Sequence, residues 1–367
     1  MSTPLPFLQL GLGDDAADVR AAIDRVIARG WYVLGPEVEA FESEFAAASG
    51  ARFAVGVGNG TDALTLLLRA AGIGPGDEVI VPAMTAAFTG LAVLAAGARP
   101  VFADVDADRL TMDPASCAAR ITPRTRAIMP VHLYGQAADL DALTSLAERH
   151  GLVVIEDACQ AHLGAHRGVP VGTTTLGAAF SFYPTKNLGA LGDGGAIVTN
   201  DAQIAERVRR LRNGGQAGRY QHVDAGINSR LDELQAAVLR ARLPRLAAQT
   251  ARRRELAALY RRELPAWLNT VADADAGHVY HLFPVRSSER DALQQHLRAA
   301  GVETLIHYPL PLTAQRAFAP ASPAECPVAT QAAGELLSLP LHPRLGEADV
   351  ARVAAAAKTF QKGRVLA

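Results

Sequence analysis

Residues 152–160 read Leu152-Val-Val-Ile-Glu156-Asp157-Ala-Cys-Gln160, a short apolar run that ends in two acids. A run this short, β-branched and without polar alternation marks a strand buried on both faces. Working outward, runs of the same kind stand at Phe53–Val57, Glu78–Val81, Val101–Val105, Ala127–Val131, Leu152–Glu156, Ala178–Phe182 and Ala196–Thr199. Amphipathic stretches separate them at Glu37–Ser49, Thr61–Ala71, Phe88–Ala96, Asp139–His150 and Ala202–Asn213. The alternation predicts an α/β fold: a mostly parallel, seven-stranded sheet covered by helices. Ligands of such sheets bind beyond the carboxyl ends of the strands. The polar residues that follow each run are therefore the ones to read for chemistry.

Beyond about residue 230 the pattern changes. A long helix is expected from Leu231 to Arg262, interrupted near Pro244. It is followed by an extended segment at His278–Arg286, a helix at Glu289–Ala300, a short strand at Glu303–His307 and a helix at Glu347–Phe360. We expect a large domain over residues 13–245 and a smaller α+β domain over residues 246–367, with residues 1–12 packing on the latter.

Composition narrows the function. The 36 basic and 37 acidic side chains nearly cancel, which argues against nucleic acid as a partner. Cys117, Cys159 and Cys326 have neither disulfide-framework nor zinc-site spacing. The most apolar internal stretch, Leu91–Ala98, is far short of a membrane span, and the first residues lack signal-peptide character. A cytoplasmic protein without membrane attachment is expected.

Three strand ends carry chemistry. Gly58-Asn59-Gly60-Thr61-Asp62 follows a strand and opens a helix, which makes either an anion site or a plain turn capped by Thr61. Asp157 stands where a carboxylate serves a ribose, a metal, a protonated ring nitrogen or a helix start. Gln160, close behind it, can hydrogen-bond a phenolic oxygen. Ser181-Phe-Tyr183-Pro-Thr-Lys186-Asn-Leu-Gly189 puts a lysine in a loop at the same edge, where few charges surround it. Each is bland alone. Together they supply an anion cradle, an amine and an acid for a pyridine nitrogen, which is what pyridoxal 5'-phosphate needs.

Four motifs carry a resemblance: Gly60-Thr61-Asp62-Ala63-Leu64, Glu156-Asp157-Ala158-Cys159-Gln160-Ala161-His162, Ser181 to Gly189, and Asn228-Ser229-Arg230-Leu231-Asp232-Glu233-Leu234-Gln235-Ala236. The chain resembles DegT-type nucleotide-sugar aminotransferases from Gly30-Trp-Tyr-Val-Leu-Gly35 to Leu339-Pro-Leu-His342-Pro343. The resemblance implies a fold-type I, aspartate-aminotransferase fold and a homodimer with active sites at its interface. It makes Lys186 the Schiff-base lysine, and Asp157 the partner of the pyridine nitrogen. Gln160 then faces the ring oxygen. Gly60, Thr61, the Asp62 backbone and Ser181 bind the phosphate, and Asn228 reaches the phosphate of the neighbouring subunit's cofactor. Tyr183, His307 and Tyr308 become candidate substrate contacts, and no metal is expected.

The implied reaction is transamination of a keto sugar carried on a nucleoside diphosphate, with L-glutamate as amino donor. Tyr-Pro-Thr-Lys-Asn-Leu-Gly is similar to members acting on 3-keto sugars. Lyase-type members carry histidine in place of the lysine. A free keto-cyclitol as acceptor, a lyase and a non-catalytic cofactor-binding regulator stand as alternatives. One departure is notable: Ala86-Ala87-Phe88 occupies the place where the family usually stacks an aromatic ring, which predicts a wider pocket. His162 and His166 are spaced to share a helix face near Cys159, but the cofactor motif already accounts for that segment. Trp31 and Tyr32 read as a loop over the site or as packing. Arg230 and Asp232 read as structural.

Overall fold

The computed structural model describes residues 4–319 and 325–360, so the outermost parts of the expected domain ranges lie outside the described residues. The apolar runs form β1 (Phe53–Val57), β2 (Glu78–Pro82), β3 (Arg99–Ala103), β4 (Thr125–Ile128), β5 (Val153–Asp157), β6 (Gly177–Ser181) and β7 (Gly195–Thr199). They pair in one seven-stranded sheet of order β1-β7-β6-β5-β4-β2-β3. All neighbours are parallel except β7, which runs antiparallel to both β1 and β6. Glycine starts β7 for a steric reason: a Cβ on Gly195 would lie 2.4 Å from the backbone of Asn59.

Helices cover both faces. On one, Leu64, Leu66 and Leu67 of the helix Gly60–Ala70 pack with Val55, Val81 and Phe102. On the other, Phe41 and Phe45 of the helix Pro36–Ala48 meet Phe180 and Phe182 edge-on, with centroids 5.2–5.3 Å apart. Each such pair is worth about 0.5–1.5 kcal/mol beyond its area. A second body follows. Asn269–Thr270, Phe283–Arg286 and Leu336–Leu339 make a three-stranded antiparallel sheet around a core of Tyr260, Phe283, Leu293, Leu339 and Val353. The N-terminal Leu5 pairs with Val302 beside it.

Several boundaries differ from expectation. β4 ends at Ile128 rather than Val131 because Pro130 lacks the N–H that a ladder needs. Its carbonyl instead accepts from the Asp157 N–H at 2.9 Å. β3 spans Arg99–Ala103 rather than Val101–Val105, since Val105 turns out of the sheet to bridge Met112. The expected strand at Glu303–His307 is only a bridge of Leu305 to Ser338. The long helix breaks as Pro244 dictates, into Glu233–Arg242 and Leu246–Glu263 around a 3-10 turn. His162 and His166 do not share a helix: Ala165–His166 pairs with Val169–Pro170 in a hairpin. Among the described residues no helix is long and apolar enough to cross a membrane.

Candidate active site

Asp157 is the last residue of β5 and is 5% exposed. Its Oδ1 accepts from the Cys159 N–H at 3.1 Å, and its Oδ2 from the Thr89 hydroxyl at 2.8 Å. Because the Thr89 proton goes to the carboxylate, Thr85, 3.1 Å away, donates to Thr89. Two threonines at the start of the helix Ala87–Ala95 thus aim the acid. Sequence reasoning missed both, although Thr89 is the one hydroxyl in the apolar run AFTGLAVLA.

Gln160 is equally fixed. Its Oε1 accepts from the Tyr134 N–H at 2.6 Å, and its Nε2 donates to the Tyr308 hydroxyl at 3.0 Å. An amide nitrogen carries two hydrogens, so one remains for a ligand. Tyr134 holds a left-handed φ of 59° and donates its hydroxyl proton to the His307 carbonyl, tying this loop to the C-terminal body. Burial pushes the Tyr308 phenol up to about 12.

The helix Gly60–Ala70 begins beside Ser181. A Cβ on Gly60 would come within 2.8 Å of both Cys159 Sγ and Ser181 Cβ, so only glycine lets these three segments meet. The cap of this helix is Asn59 rather than Thr61: its side chain accepts from the Asp62 N–H at 2.8 Å. That leaves the N–H groups of Gly60 and Thr61 without a protein acceptor among the described residues, at the positive end of the helix dipole. Asp62 contributes its carboxylate to the scaffold, accepting from Ser229 at 2.6 Å while the Ser229 oxygen accepts from the Gly58 N–H at 2.9 Å.

Lys186 follows in the loop after β6, turned by an Lys186 N–H to Tyr183 carbonyl bond of 2.8 Å. Burial pushes its ammonium below the usual lysine range, opposed in part by Cys159 and Asp157. Burial, and after it the same positive charge, lowers the imidazoles of His162 to about 3 and His307 to about 4, so these groups share one enclosure. His162 Nε2 lies 2.9 Å from the Ser181 carbonyl, which only its N–H can satisfy, and this fixes its tautomer. An amine, a carboxylate, an amide and a helix N-terminus therefore converge at one sheet edge. The glycine cradle and the depressed lysine fit pyridoxal phosphate.

The other candidates lie on the surface of the chain. Tyr183 is 52% exposed and Asn228 is exposed as well. The segment bearing Asn228 is anchored by Glu233, whose carboxylate accepts from the N–H groups of Gly35, Glu37 and Val38 at 2.8–2.9 Å. This acid caps the helix Pro36–Ala48 from far along the chain and holds the Trp31–Gly35 loop against Asp232. No local signal revealed that role. Phe88 is 63% exposed, while its neighbour Thr89 faces Asp157.

Comparison with known proteins accords with this geometry. The chain is 51% identical over 356 residues to the dTDP-3-amino-3,4,6-trideoxy-alpha-D-glucose transaminase of Streptomyces venezuelae, covering 95% of this chain and 94% of that one. The crystal structure of S. venezuelae DesV in complex with a ketimine intermediate superposes with a TM-score of 0.95 at 49% identity, covering 97% and 98% of the two chains. NtdA from Bacillus subtilis with bound cofactor PMP superposes with a TM-score of 0.89 at 30% identity, over 98% of this chain and 86% of that one. Residues 14–358 match the model of the DegT/DnrJ/EryC1/StrS aminotransferase family, and the chain belongs to that family.

Proposed function

We propose that this protein is a pyridoxal-phosphate-dependent transaminase that aminates C3 of a keto sugar carried on a nucleoside diphosphate, with L-glutamate as donor. The observation that carries the reading is the convergence of Lys186, Asp157, Gln160 and the Gly60–Ser181 cradle. Half-identity over nearly the whole chain to a 3-amino-sugar transaminase supports the sugar position. The cofactor, once bound, supplies a protonated pyridine ring that accepts electrons from the breaking C–H bond.

The chain's own residues set up that chemistry. The N–H groups of Gly60 and Thr61 and the Ser181 hydroxyl hold the phosphate, and the Asp62 N–H, already given to Asn59, adds at most a shared bond. Asp157, fixed at both oxygens, keeps the proton on the ring nitrogen. The second Gln160 N–H serves the ring oxygen. Lys186 holds the aldehyde at rest. Once released, its amine takes the proton from Cα of the donor and returns one to C3 of the sugar; a lowered pKa suits it to both directions. Tyr183, His307 and Tyr308 line the acceptor's approach, and Ala86 leaves the pocket wider than an aromatic residue would.

The reading includes a homodimer in which Asn228 reaches the partner's cofactor phosphate. Exposed Trp31, Tyr32, Tyr183, Leu191 and Tyr220, all on segments flanking the site, support such an interface. It also keeps the domain division at 245/246, supported by the 3-10 break at Leu243–Arg245. The deciding experiment supplies L-glutamate with a dTDP-linked 3-keto sugar, its 4-keto isomer and a free keto-cyclitol. We expect turnover of the 3-keto nucleotide sugar and none with Lys186→Ala. Preference for the cyclitol would overturn the acceptor, and an active Lys186→Ala would overturn the lysine.

A further inference from the structure

Outside the crevice, His166 stands in a setting that transamination does not use. It is 5% exposed, and among the described residues neither ring nitrogen has a hydrogen-bond partner. A buried imidazole left so is costly. Three carboxylates nevertheless face it. Nε2 lies 3.7 Å from Asp139 Oδ1 and 3.5 Å from Asp141 Oδ2, and Nδ1 lies 3.5 Å from Asp275 Oδ2. These separations are longer than charge-assisted hydrogen bonds, which cluster at about 2.7–2.9 Å. They do match the spacing between two ligands of one ion: ligands about 2.1 Å from a tetrahedral centre stand about 3.4 Å apart.

We propose that His166 Nε2, Asp139 Oδ1 and Asp141 Oδ2 form a binding site for a divalent cation of the zinc class, completed by water. The three ligand atoms lie within 4.8 Å of one another. One imidazole with two carboxylates suits zinc better than magnesium or calcium, which favour all-oxygen sets. Asp275 then has the role of the outer carboxylate that accepts from Nδ1–H and fixes the tautomer of a metal-bound imidazole.

The fold builds the site from rigid parts. Asp139 caps the helix Leu140–His150, accepting from the Ala142 N–H at 3.2 Å, and Asp141 lies in its first turn. The hairpin turns at Arg167-Gly168 with φ of 49° and 82°, the pair of left-handed residues that a two-residue type I′ turn requires. Asp275 is held by the Gly277 N–H at 2.7 Å and by the Arg167 N–H. Local charge also favours a dication. Three acids are set against Arg167, 2.6 Å from Asp141 Oδ2, and Arg109, 4.0 Å from Asp139. The Arg167 side chain is 66% exposed and can swing to solvent when the ion binds. His162, which the spacing alone would let share a ligand set with His166, is committed to Ser181 and takes no part. The ion would staple the helix start to the hairpin that follows the Asp157–Gly164 loop, so it acts on stability rather than on the reaction.

The test uses cofactor-loaded protein stripped with a chelator and then dialysed against zinc or cobalt(II). We expect one equivalent per chain, a raised thermal midpoint, and cobalt absorption bands of a tetrahedral N/O site. His166→Gln and Asp141→Asn should each lose that equivalent while keeping the cofactor's visible absorbance and the transaminase rate. Asp141 is 61% exposed, so its variant reports even where the histidine variant folds poorly. Absence of a bound equivalent in the wild type, or its retention in Asp141→Asn, would overturn the proposal. Wild-type stability that responds to pH and not to zinc would also overturn it, assigning the cluster to a protonated imidazole. Since transamination is read separately, failure here leaves that reading intact.

Discussion

The two sides of the crevice are built on opposite terms. On the Asp157 side the two key side chains are held from within the chain: the carboxylate by Thr89 and Cys159, and Gln160 by Tyr134 and Tyr308. On the Asn228 side the functional candidates stand exposed, among Tyr183, Trp31 and Tyr220, although the backbone beneath them is anchored by Glu233 and Ser229. The first side is preorganised, so its dipoles need no rearrangement when charge shifts. The second is exposed, and in the dimer proposed above it is the surface that the partner subunit covers. In the proposed dimer, preorganisation would fall to the one surface and assembly to the other.

The sharpest way to break that contrast is at the acid. Asp157→Asn keeps the shape but removes the charge, and should lower kcat by about a hundredfold or more. Thr89→Val, which removes only the bond that aims it, should cost about tenfold, in line with a hydrogen bond to a charged group. Equal losses in steady-state rates for the two variants would mean that placement, not charge, governs the site. Across the crevice, Asn228→Ala should weaken cofactor retention by about tenfold, or about 1.4 kcal/mol. Mixing Asn228→Ala chains with Lys186→Ala chains should restore activity, because one site of each hybrid dimer then holds both residues. No restoration would place Asn228 in its own chain's site.

A separate readout of the buried wall is acid stability. Burial holds His162 at about 3 and His307 and His342 at about 4, against an ordinary 6.5. Between those values the unfolded chain binds protons that the folded one refuses. The stabilisation is therefore complete above about pH 6.5 and is lost as pH falls toward 4, by up to about 1.4 kcal/mol per pH unit per histidine. Thermal midpoints measured across that range should fall, and His162→Asn should flatten the slope. A midpoint that does not change with pH would show that the buried wall is more open than its geometry implies.

The preorganised side was the more legible in the sequence. A strand buried on both faces announces itself by composition, and Asp157 ends one such strand while Lys186 lies in the loop that follows another. What the sequence hid depends on distant encounters. Glu233 reads as an ordinary acid in a helix's first turn, yet it caps another helix nearly two hundred positions earlier. Thr89 reads as one polar residue in an apolar helix. The hairpin that separates His166 from His162 rests on Arg167 accepting a left-handed backbone, which no motif demands. The ends of β3 and β4 moved because Pro130 and Val105 answer to neighbours outside their own runs.

β7 has a further consequence, for the order in which the protein is made. It lies between β1 and β6, and its Gly195 sits directly against Asn59 and Gly60. During synthesis β1 and its turn emerge first, but β1 has no hydrogen-bonding partner in the sheet until residues 195–199 follow. The turn proposed to cradle the phosphate therefore lacks its wall through the first half of translation, and a nascent chain shorter than this has no completed pocket there. Pairing across so long a stretch also slows folding. On the role proposed for that turn, cofactor capture waits until the inserted strand has locked into place.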